Sequence, residues 1–135
     1  SGGAMLLADE PVSVGGLASG PTPYELVAAG LGACTVMTLR LYADRKGLPL
    51  ERASVEVRHE KQPGQTPPDV FERTLKLEGT FDEEQRARMF EIADKCPVHR
   101  TLEGGARVVT RADAPAMPAP CEEEHFKEME DACRS

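Results

Sequence analysis

Between Leu26 and Leu39 the only polar side chains are Thr35 and Thr38, and no other stretch of the chain constrains the fold as much. A segment that is apolar on nearly every side has no face to offer water, so it belongs at the centre of the molecule. What precedes it dictates a helix. Thr22 suits the N-cap, Pro23 suits the first helical position, and Glu25 stands three residues on, which completes a T-x-x-E capping box. The helix is predicted to run to about Lys46, with Gly47 and Pro49 ending it. Ala28, Ala29, Gly30, Gly32 and Ala33 let another backbone approach closely, and that packing must offset the roughly 1 kcal/mol each helical glycine costs against alanine.

Two later segments alternate with the period of half-exposed antiparallel strands, Ala53 to His59 and Phe71 to Leu77. The Pro- and Gly-rich run from Gln62 to Pro68 between them cannot hold a ladder and is expected to be the hairpin loop. Asp82 caps a second helix, with Ala87, Phe90, Ile92 and Ala93 at nearly helical spacing and an end near Lys95. Cys96-Pro97-Val98-His99 then opens a short helix. Met5 to Leu7 and Arg107 to Arg111 are expected as first and last strands, and Asp9 to Pro23 as irregular chain.

After Ala112 the composition turns Pro-rich and then acidic, and Glu122 to Ala132 is a candidate exposed helix with no evident core residues to hold it. These segments make an α+β fold in one domain, residues 5–111, followed by a tail, residues 112–135. Ser1 to Ala4 have the look of a cloning remnant and are left out of the fold reading.

A net charge of −7 without any block of Lys and Arg argues against a nucleic-acid surface, because phosphate neutralisation needs clustered cations. No apolar run is expected to be long enough to cross a bilayer, and no basic segment leads into a hydrophobic stretch at the N-terminus. The expected compartment is therefore the cytoplasm. There the four cysteines, at 34, 96, 121 and 133, start out reduced, and reactive or metal-bound thiols are a better expectation than disulfides.

Cys96 stands where a helix begins, so unpaired N–H groups and the helix dipole favour its thiolate, and Lys95 and Arg100 add positive charge. His99 can assist or be a bystander. Cys34 lies inside the apolar helix, where an inert buried thiol is as ordinary as a reactive one. Cys96-x-x-His99 and Cys121-x-x-x-His125 are tolerable zinc spacings, yet structural zinc sites use tighter knuckles, and no metal or bound cofactor is expected. Cys121 and Cys133 are expected to be an exposed, oxidisable pair without a set role. Gly30-Leu31-Gly32 sits inside a helix and is no dinucleotide loop.

Gly20-Pro21-Thr22-Pro23-Tyr24-Glu25-Leu26-Val27-Ala28-Ala29-Gly30-Leu31-Gly32-Ala33-Cys34-Thr35, followed by Cys96-Pro97-Val98-His99-Arg100-Thr101-Leu102, resembles the two signature segments of the OsmC/Ohr superfamily in order and separation. Asp9-Glu10-Pro11 and Arg40 to Lys46 are similar to the subgroup found alone or fused to α/β-hydrolases. The resemblance implies an intertwined homodimer, with antiparallel strands of both chains wrapped around central helices. It also implies reduction of organic hydroperoxides, with Cys34 as peroxidatic and Cys96 as resolving thiol and an external dithiol as reductant.

A buried thiol needs a cation or hydrogen-bond donors to ionise. The family takes an arginine from an N-terminal strand and orients it with a glutamate; no arginine precedes Arg40 here, and Tyr24 stands at the acid's place with Glu25 beside it. Glu25 is the candidate for that role, or it only completes the capping box. Two other functions compete: a non-catalytic module of the same fold that binds an apolar small molecule or a partner protein, and redox sensing through the tail cysteines.

Overall fold

The computed structural model describes residues 3–112 and 122–134. Helix α1, Pro23–Lys46, begins as its sequence dictates: Thr22 Oγ1 accepts the Glu25 N–H at 3.2 Å and Glu25 Oε2 accepts the Thr22 N–H at 2.9 Å. It ends at Gly47, whose φ of 67° is the left-handed conformation of a helix C-cap. Strands β1, Leu50–Lys61, and β2, Asp69–Gly79, form an antiparallel hairpin that sets Val55 opposite Leu75, Val57 opposite Arg73 and His59 opposite Phe71. The register slips between Leu50 and Arg52, and there Arg40 donates to the Leu50 carbonyl at 2.5 Å and to that of Glu51 at 3.3 Å, tying α1 to the start of the sheet.

The hairpin lies against α1 at close range. A Cβ on Gly32 would stand 3.2 Å from Val55 Cγ1 and 3.4 Å from Val57 Cγ2, so the missing side chain brings helix and strand together. Helix α2, Glu83–Ala93, is capped by Asp82, and α3, Pro97–Gly104, follows after a tight turn. The main core joins Leu39, Tyr42 and Ala43 of α1 to Leu50 and Leu77 of the hairpin and Met89, Ile92 and Ala93 of α2.

Four expectations need correction. Met5 to Leu7 and Arg107 to Arg111 are not strands; the sheet of the described residues has two strands, and Val108 is 91% exposed. A strand-like sequence is not enough, because without a neighbour to complete the ladder the segment stays outside the sheet. The tail helix α4, Glu122–Cys133, is held firmly. Met129, Ala132 and Cys133 recur at helical spacing and are buried, Arg45 of α1 pairs with Glu130, and the Cys133 thiol donates to the Thr38 carbonyl at 3.8 Å.

Third, α1 is covered on one side only: Val27 and Met37 are 39% and 55% exposed, and Ala29, Gly30 and Ala33 are open to solvent. Fourth, α1 does contain an 18-residue window with a mean hydropathy of 1.5, so by length and composition alone it could cross a membrane. Half of that window is buried against the rest of the chain, the position of a core helix. The expected pairing of the tail cysteines cannot be followed, because Cys121 lies outside the described residues.

Candidate active site

Cys34 and Cys96 come together. The helix carries Cys34 to the middle of α1, the turn after α2 delivers Cys96 as N-cap of α3, and with Leu31 they form a second buried cluster flanked by Val57, Phe71 and Val98. Both thiols are free and almost fully buried, at 3% and 0% exposure.

Their surroundings differ. Sγ of Cys96 accepts the His99 N–H at 3.3 Å, which is the N-cap bond of α3 made by sulfur, and it lies 3.8 Å from Thr35 Oγ1. Hydrogen bonding from the Cys34 thiol lowers the Cys96 pKa most, with help from the His99 amide, the Thr35 hydroxyl and the charge of Arg73, and these outweigh burial to bring it to about 6. Cys34 is pushed the opposite way, first by its bond to the Cys96 sulfur and then by burial. The Val98 amide and the Thr38 hydroxyl work the other way on Cys34, but the bond to Cys96 and burial outweigh them.

Arg73 was not a candidate on sequence grounds. Its guanidinium, on β2, donates to Thr35 Oγ1 at 3.1 Å, to the Ala93 carbonyl at 2.9 Å, to Asp94 at 3.0 Å and to His99 Nδ1 at 2.5 Å. Because guanidinium can only donate, Nδ1 of His99 is an acceptor in this arrangement, and the ring's hydrogen sits on Nε2, facing Glu103. His99 is therefore part of the site. The signal that could have found Arg73 is its parity, since it shares the strand face of Phe71, Leu75 and Leu77.

Glu25 is not brought to the thiols. Its carboxylate is spent on the capping box, nine residues and about 13.5 Å of helix away from Cys34. Tyr24 stacks on His59, with ring centroids 4.1 Å apart, and His59 in turn meets Asp69 at 2.8 Å, so this corner fastens α1 to the tip of the hairpin. A cavity of about 470 Å³ adjoins the thiol cluster; Leu31, Phe71 and Leu102 give it apolar walls and Arg73 and His99 polar ones.

A search of curated proteins gives no match. Among solved structures, the chain is similar to an osmotic stress and detoxification response protein of Psychrobacter arcticus, with 18% identity, a TM-score of 0.61 and coverage of 71% of this chain and 70% of that one. It is similar to an OsmC-like protein of Mycoplasma pneumoniae, at 22% identity and a TM-score of 0.58 over 70% and 69% of the two chains. The third is an organic hydroperoxide resistance protein OsmC of Legionella pneumophila, at 26% identity and a TM-score of 0.52 over 71% and 72%. A family model described as OsmC-like protein matches residues 16–111, which include α1, the hairpin and both thiols, and the chain therefore belongs to the OsmC-like family.

Proposed function

We propose that the chain is a thiol-dependent reductase of organic hydroperoxides in which Cys34 and Cys96 are the reacting pair. The observation that carries this reading is the meeting of two reduced, buried thiols from separate elements beside a hydroxyl and a guanidinium. One thiol takes an oxygen from the peroxide and becomes a sulfenic acid, the other displaces it to form a disulfide, and an external dithiol restores both thiols. No bound cofactor is needed for these steps. A reducing compartment such as the cytoplasm suits the recycling step.

The apolar walls of the adjoining cavity favour an organic peroxide over a small polar one. The working unit is a homodimer, because the uncovered side of α1 is an apolar stripe that a second copy of the same helix would cover. The rival reading is a binding module whose thiols are packing, which a missing N-terminal arginine favours; the Arg73 guanidinium, brought beside Thr35 from β2, supports the peroxidase instead.

The test is consumption of cumene hydroperoxide by the reduced protein with a dithiol supplied, beside Cys34→Ser, Cys96→Ser and the double variant. Turnover should be lost in both single variants. Equal consumption by the wild type and the double variant would leave the binding module as the function.

A further inference from the structure

We propose that Arg73 is a positioning residue for the thiol pair: its guanidinium clasps the turn that carries Cys96 to the helix that carries Cys34, and so sets how readily the two sulfurs join. The inference rests on the peroxidase reading only in taking that disulfide as a step of turnover.

Both terminal nitrogens of the guanidinium are engaged. Nη1 donates to Thr35 Oγ1 at 3.1 Å and to the Ala93 carbonyl at 2.9 Å, and Nη2 donates to Asp94 Oδ1 at 3.0 Å and to His99 Nδ1 at 2.5 Å. Each of these nitrogens has two hydrogens, so every one of them is used. Ala93 and Asp94 precede Cys96, His99 follows it, and Thr35 is next to Cys34. One side chain thus holds the segment around one thiol against the neighbour of the other.

The turn has bonds of its own. Lys95 N–H donates to the Ile92 carbonyl at 3.0 Å, Cys96 N–H to the Ala93 carbonyl at 3.3 Å, and His99 N–H to the Cys96 sulfur at 3.3 Å. These shape the turn without fastening it to α1. Thr35 Oγ1 lies 3.8 Å from Cys96 Sγ, and the Val98 amide faces the Cys34 sulfur, but bonds to sulfur change when the thiols are oxidised. The four bonds of Arg73 touch no reacting atom and can hold through the whole cycle.

The hairpin anchors the clasp in turn. Arg73 stands opposite Val57, which flanks the thiol cluster together with Phe71. The Arg73 side chain is 11% exposed, and a cation so far from water needs acceptors, which the four partners supply. Lysine is no substitute, because its three donors sit on one atom and these acceptors are met from two nitrogens of a rigid plane. Disulfide geometry is narrow, with a torsion of about 90° about the S–S bond, so a small drift of the turn matters.

Closure can be followed without peroxide, using glutathione disulfide as the oxidant. One protein thiolate attacks it, a mixed disulfide forms and one glutathione thiolate leaves; the second protein sulfur then displaces the other glutathione. The protein dithiol is oxidised, the glutathione disulfide is reduced, and the two thiol protons end on the two glutathiones.

The measurement is the equilibrium constant of this exchange at pH 7, read by mass spectrometry after free thiols are trapped with a maleimide. Arg73→Lys and Arg73→Gln should each lower it about 10- to 100-fold. Asp94→Ala removes one exposed arm and should lower it by a smaller factor, with no further effect once Arg73 is replaced. Leu50→Ala loosens the main core away from the clasp and should leave it unchanged. Direction separates positioning from charge: a cation that only favoured a thiolate would stabilise the reduced protein, and losing it would raise the constant.

An unchanged or raised constant in folded Arg73→Lys and Arg73→Gln overturns the proposal, as does an equal fall in Leu50→Ala or a wild type whose pair does not close. Should neither Arg73 variant fold, Asp94→Ala decides by the same sign, a fall upholding the clasp and no change overturning it. A wild type that closes the disulfide yet leaves cumene hydroperoxide unconsumed would end the peroxidase reading and leave the clasp standing.

Discussion

At the scale of single residues, the buried hydroxyl of Thr38 is the exception among the described residues, since no hydrogen bond of good geometry reaches it, though it faces the Cys34 thiol. Valine has the same shape and the same stiffness in a helix, so Thr38→Val should raise stability by about 1 kcal/mol, measured by urea unfolding. Glu25 offers a sharper separation of roles. Glutamine can fill the same place in a capping box, so Glu25→Gln should leave both unfolding midpoint and peroxide turnover unchanged. Glu25→Ala should lose about 0.5–1 kcal/mol of stability. A large fall in turnover with Gln alone would return the carboxylate to the chemistry.

These residues also show what a sequence discloses. The capping box was legible because Thr22 and Glu25 need only each other. Cys96 as a helix N-cap was legible for the same reason. Arg73 was passed over because its partners, Thr35, Ala93, Asp94 and His99, come from elements that only the fold assembles.

At the scale of elements, the contact of α1 with β1 depends on Gly32. Gly32→Leu forces Val55 and Val57 away, at a cost of about 1–3 kcal/mol that exceeds the roughly 1 kcal/mol gained in helix propensity, so the thermal midpoint should fall. Met129 is 7% exposed beneath α4, and Met129→Ala should cost about 2 kcal/mol in the same measurement. An unchanged midpoint would mean that α4 is not held as described.

The hairpin and α1 could be read from periodicity because each writes its own pattern over many residues. Docking of α4 could not: Met129, Ala132 and Cys133 make a short stripe in an acidic helix, and their seat on α1 lies some ninety residues earlier in the chain. Arg107 to Arg111 erred in the other direction, with a strand's pattern and no ladder.

At the scale of the whole molecule, the proposed homodimer reverses the prediction for one position and adds a second test close by. Nothing lies within 4 Å of a Cβ placed on Gly30 in one chain, so Gly30→Ala should stabilise an isolated chain by about 1 kcal/mol. If the second copy packs there, the same change should weaken the dimer instead, and Ala33→Glu should yield monomers by light scattering. A wild-type mass of one chain would remove the dimer from the proposal.

The guanidinium beside the thiol pair is carried by a strand, whereas Cys34 lies within one helix and Cys96 caps another. The hairpin thus works as a clutch. While it is seated on α1 the charge stands beside the pair, and once it lifts, Arg73 leaves Thr35 and His99 behind. A chain emerging from synthesis, or one half unfolded by heat, lacks that cation until the hairpin docks. The site, on this account, is complete only when folding is finished.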